Sequence, residues 1–166
     1  MTIKFDSITK SNIQHIMFNK EALREWIQYM AEHTDEFPAY ISFFHGITHW
    51  RNVEAFGLML ADEYPSADTD VIRWFAYLHD CRRGAERQFE EHGHTAAAFI
   101  SGIRKTFLKD LTADICLDAD RLDLNRVNIK PDPKRMATEA GARFAQMSEA
   151  ELETRKDIYL QSTNNS

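Results

Sequence analysis

His79 and Asp80 stand side by side at the end of the apolar run Phe75-Ala76-Tyr77-Leu78. An imidazole nitrogen beside a carboxylate presents two ligands to one borderline metal ion. Neighbouring residues on a helix point about 100° apart, so the pair does not chelate as i, i+4 residues do. Both reach an ion lying off the helix end when other elements supply the remaining ligands. Two other places offer them. His49 follows a tight turn at Gly46, and Asp120 sits beside Arg121 and between Asp118 and Asp123. Two imidazoles and two carboxylates around one divalent cation make a mixed nitrogen–oxygen site with positions left for water and substrate. Spacing alone does not select this set, because seven histidines in 166 residues generate other sets by chance.

The elements that must position these residues read as helices. Ile13, Ile16, Met17, Leu23, Ile27 and Met30 recur at helical spacing from Asn12 to His33, with a break expected at Asn19. Pro38 marks a connection over residues 34–39. A helix is predicted over 49–64, capped by Thr48 and stopped by Pro65. Asp68 or Thr69 starts the next, which runs to Asp80. Residues 81–90 carry Arg82, Arg83, Glu86, Arg87 and Glu90 and read as a charged connection. A helix through Phe99, Ile103 and Phe107 follows, then one over 113–125 started by Asp110 or Thr112. Pro131-Asp132-Pro133 breaks the chain before a helix over 134–146. Ser148 and Glu151 have the spacing of a capping box for a last, mostly polar helix. No strand alternation and no glycine-rich phosphate loop is present. The expected fold class is all-α, a single irregular helical bundle. It divides into an N-terminal helical segment (1–40), a core (41–147) and a C-terminal helix with a frayed tail (148–166), all in one compact domain.

Composition bounds the function. A formal net charge of −6 gives no global field to draw in a nucleic-acid duplex or an anionic membrane. No apolar run approaches the roughly 20 residues that span a bilayer. Two cysteines, Cys81 and Cys116, make no disulfide framework and point to a reducing compartment. With no signal-peptide pattern at the N-terminus, a cytoplasmic location is expected.

The order His49, His79-Asp80, Asp120 on a helical background resembles the HD-domain metal-dependent phosphohydrolase superfamily, over roughly His45 to Ala145. The local words resemble those of a bacterial subgroup of that superfamily. They are His45-Gly46-Ile47-Thr48-His49-Trp50, His79-Asp80-Cys81-Arg82-Arg83 with Glu86, Glu91-His92-Gly93, and Asp118-Ala119-Asp120-Arg121-Leu122-Asp123. The resemblance implies an HD-type bundle with His49, His79, Asp80 and Asp120 as ligands of one divalent metal ion (Mn, Co, Zn, Fe, Ni or Mg). Asp120 rather than Asp118 matches the Ala-Asp-Arg-Leu pattern. Two departures stand out. Asn52 takes a position where many relatives carry arginine, and only 40 positions separate Asp80 from Asp120, a short interval for the superfamily.

The implied reaction is hydrolysis of a small phosphate ester or nucleotide by a metal-activated water. Asp80 orients that water, Glu86 acts as acid or base, and Arg82, Arg83, Arg121 and His45 contact the substrate, with Arg126 a further candidate. The bland readings are a solvated turn for the arginines, a turn histidine for His45 and a small buried side chain for Cys81. His92 and His94 are the residues available for a second metal. The alternative to an enzyme is a degenerate HD domain that binds metal or nucleotide as a regulatory module. An oxygenase is a third reading, but it needs more ligands than the chain offers. A homo-oligomer is compatible with all three.

Overall fold

The computed structural model describes residues 20–81 and 111–164. Among the described residues the chain is all-helical, as expected, with six α-helices and no strand. They are α1 (Lys20–Glu32), α2 (Ile47–Ala61), α3 (Thr69–Leu78), α4 (Leu111–Leu122), α5 (Glu139–Phe144) and α6 (Glu149–Asn164). The charged run with Arg82, Arg83 and Glu86, the helix expected through Phe107, and His15, His92 and His94 lie outside the described residues.

Helix α2 is the centre. Trp50, Val53, Phe56, Leu58 and Leu60 are all buried, so its apolar surface runs round the whole cylinder, the signature of a helix enclosed by others. It packs on α3, α4 and α6. The approach is closest at Gly57, where an added Cβ would lie 2.5 Å from Ile72 Cγ2 on α3 and 3.5 Å from Ala119 Cβ on α4. Helix α1 adds Leu23, Trp26 and Met30 to the core, with Phe37 edge-on to Trp26.

Two helix boundaries differ from expectation at α2. Thr48 is not the cap. The helix starts at Ile47 behind Gly46, whose extended backbone carries no side-chain cap. A Cβ at residue 46 would lie 2.3 Å from the Ser42 carbonyl oxygen and 2.7 Å from that of Tyr40, so the incoming chain is folded tightly against the helix start. At the other end the helix stops at Ala61, not Tyr64. Pro65 pushes Tyr64 out of the α conformation, and the last amides turn back to Leu60 and Ala61.

Helix α3 begins as expected, with the Asp68 carboxylate accepting from the Asp70 and Val71 amides at 3.1 Å. Helix α4 ends at Leu122 and passes into a 3-10 turn, Asp123–Val127, closed by Asn128 in the left-handed region (φ 60, ψ 30). The helix expected over 134–146 is split. A 3-10 turn at Pro133–Arg135 is followed by a break and then by α5, capped by Thr138. The cause is Asp118, which is fully buried on α4. Its carboxylate accepts from the Ala137 amide at 2.7 Å and from the Thr138 amide and hydroxyl at 2.8 Å, and those amides are lost to a continuous helix. The expected capping box of α6 is present. The Glu151 amide donates to Ser148 Oγ, and the Ser148 amide donates to the Glu151 carboxylate at 2.9 Å. No helix among the described residues is long and apolar enough to cross a membrane.

Candidate metal centre

Three elements converge on one point. The first turn of α2 carries His49, the C-terminal end of α3 carries His79 and Asp80, and the last turn of α4 carries Asp120. His49 Nε2 lies 3.1 Å from His79 Nε2. Asp80 Oδ2 lies 3.5 Å from each of those nitrogens. Asp120 Oδ1 lies 3.3 Å from His49 Nε2 and 3.8 Å from His79 Nε2. His49, His79 and Asp80 each offer a ligand atom, all within 4.8 Å of one another. Asp120 stands just outside that set, against its two imidazoles.

The tautomers follow from the partners. His49 Nδ1 lies 2.7 Å from the Asp123 carboxylate, and His79 Nδ1 lies 3.1 and 3.0 Å from the carbonyl oxygens of Phe75 and Ala76. These oxygens only accept, so each Nδ1 carries the proton and donates, and each Nε2 turns a lone pair toward the shared point. Two lone pairs 3.1 Å apart repel unless positive charge lies between them. First-row divalent ions hold nitrogen and oxygen at about 2.0–2.2 Å, which spaces neighbouring ligand atoms about 3–3.5 Å apart. Four of the five separations match that spacing and the fifth, Asp120 to His79, is slightly longer at 3.8 Å, so the donor set fits such an ion.

Without an ion, a proton is the remaining positive charge. Burial alone pushes the His49 imidazolium down, but the hydrogen bonds it donates to Asp120, Asp123 and Asp80 outweigh it and raise the group from 6.5 to about 10. Burial pushes His79 below its usual value, against the pull of Asp80 and Asp120. Burial works against the Asp120 charge, yet the two imidazoles hold its carboxyl down at about 2. Access is uneven: the side chains of His49 and Asp80 are 1% and 3% exposed, and that of Asp120 is 40% exposed. Solvent meets the cluster at Asp120.

The other candidates are placed as follows. His45 is buried beside the cluster, with Nδ1 3.2 Å from Asp80 Oδ2, although no N–H direction lines up to make a hydrogen bond. Arg121 reaches Asp118, at 3.4 Å, and not the cluster. Arg126 donates to the carbonyls of Phe44 and Asp123 and lies 3.6 Å from the Asp123 carboxylate. Asp118 is an acceptor for the α5 start. Phe43 is exposed, whereas Trp50 is core. Asp123 is the residue that sequence reasoning passed over. Its signal was its place three positions after Asp120, on the same side of the helix end.

Compared with protein-family models, curated proteins and solved structures, the chain matches none. The resemblance therefore rests on this chain's own residues, and the described residues include a buried histidine–aspartate cluster, His49, His79 and Asp80, that could hold a metal ion.

Proposed function

We propose that the chain is a metal-dependent phosphohydrolase of the HD type, acting on a small phosphate ester or nucleotide. The observation that carries the reading is the meeting of His49, His79, Asp80 and Asp120 from three helices at separations suited to one divalent ion. Such an ion supplies a Lewis acid and a water of lowered pKa. The chain does the rest. His49 and His79 present fixed Nε2 atoms, and Asp80 orients the attacking water. Asp120 marks the open side, where substrate arrives. Arg82 and Arg83, next in the chain, take the phosphate oxygens, and Glu86 returns a proton to the leaving alcohol.

A second reading, a metal-binding module without turnover, has its own support. Arg121 and Arg126 face Asp118 and Asp123, at 3.4 and 3.6 Å, rather than the centre of the cluster. The test is elemental analysis of purified protein beside His79→Ala and Asp80→Ala, followed by a phosphate-ester and nucleotide screen. About one metal ion per chain, lost in both variants, with hydrolysis by the wild type alone, is the expected result. Bound metal without turnover under any divalent ion selects the module. No metal, even after loading, sinks both.

A further inference from the structure

Helix α6 turns Leu152 and, four residues on, Lys156 toward α2, and both are buried. A buried ammonium is costly unless its donors are satisfied. Lys156 Nζ donates to Glu153 at 2.5 Å and to Asn52 Oδ1 at 3.0 Å, and it lies 5.5 Å from the Phe56 ring centre. Lysine only donates, so the Asn52 atom facing it is the carbonyl oxygen, and the orientation of that amide is fixed. Asn52 Nδ2 is then left to donate to Asp123 Oδ1, at 2.8 Å. The other oxygen of Asp123 accepts from His49 Nδ1. Ammonium, amide, carboxylate and imidazole form one unbroken chain of hydrogen bonds, from the C-terminal helix to the metal-facing ring.

We infer that Lys156 is a positioning residue of the metal centre, setting the orientation and ligand strength of His49 through Asn52 and Asp123. The inference rests on the metal-centre reading above. Partners behind a metal-bound imidazole typically change affinity tenfold to a hundredfold, because they fix the ring and its tautomer. A side chain that merely covered Phe56 would have no such reach.

The test is titration of metal-free protein with Co(II) against a competing chelator, read by the visible absorption of the bound ion. Lys156→Met, which keeps the aliphatic stem, is expected to weaken Co(II) binding about tenfold while still taking one ion per chain. Lys156→Arg restores part of the loss. Asn52→Ala cuts the chain in the middle and gives a similar loss, and the double variant is no worse than either single one, since both act through one path. Wild-type affinity in Lys156→Met alongside a weakened Asp123→Asn overturns the inference, as do fully additive losses in the double variant. Should Lys156→Met fail to fold, wild-type affinity in Asn52→Ala overturns it equally, because Asn52 is only half-buried. A wild type that takes no Co(II) overturns the metal centre itself, and the inference with it.

Discussion

Asp118 and Asp120 are the same residue type two positions apart, and the helix puts them to opposite uses. Two steps along a helix turn the side chain about 200°, so once Asp120 faces His49 its neighbour must face away. Asp118 points to the α5 start and accepts three hydrogen bonds there. Asp118→Asn replaces one acceptor oxygen with a donor that faces other donors. Its expected effect is a loss of about 2–3 kcal/mol in urea unfolding, with metal content unchanged. Asp120→Asn is expected to weaken metal binding and, in chelator-treated protein near neutral pH, to lower the urea midpoint as well, because the His49 imidazolium loses a charged partner. His49 gives a pH signature in the metal-free protein. Its folded pKa, about 10, lies above its ordinary 6.5. The stabilisation it brings is complete below 6.5, declines as pH rises from there, and is gone above about 10. Thermal melts of chelator-treated protein should fall across that window, and His49→Gln should flatten the fall.

Among the elements, α2 sets how near the others come. At Gly57 a methyl group has no room beside Ile72, so Gly57→Ala must push α3 outward or force a side chain off its rotamer. The expected destabilisation is about 1–3 kcal/mol by urea unfolding. The same seam sets the distance between His49 on α2 and His79 on α3, so metal affinity should fall with stability. Helical spacing announced α1 and α2, and local capping chemistry announced the starts of α3 and α6. The break between Arg135 and Glu139 was not legible. Thr138 and Gly141 oppose a helix over 134–146 only weakly, and the carboxylate that breaks it lies some twenty residues earlier. The start of α2 was missed for a similar reason, since Gly46 holds the cap position without a side chain, where its missing Cβ lets the carbonyls of Tyr40 and Ser42 pass.

For the whole molecule, the residue types that meet at the centre were legible because each sits at a helix end or within a helix with its own local signature. The groups behind them were not. Asp123 and Asn52 are ordinary polar residues in sequence, and Lys156 looks like any lysine on a polar helix. Only the packing of α6 on α2 turns it inward. Periodicity does not see a chain of partners drawn from residues 49, 52, 123 and 156, because its links are hydrogen bonds between elements far apart in sequence.

The uneven covering of the centre bears on which ions it can accept. With His49 and Asp80 buried and Asp120 partly exposed among the described residues, an ion held here would give up part of its hydration shell. Magnesium sheds its waters reluctantly and prefers oxygen, whereas the later first-row ions take imidazole readily. An ion taken up by this cluster would be selected by its ease of dehydration as much as by its charge.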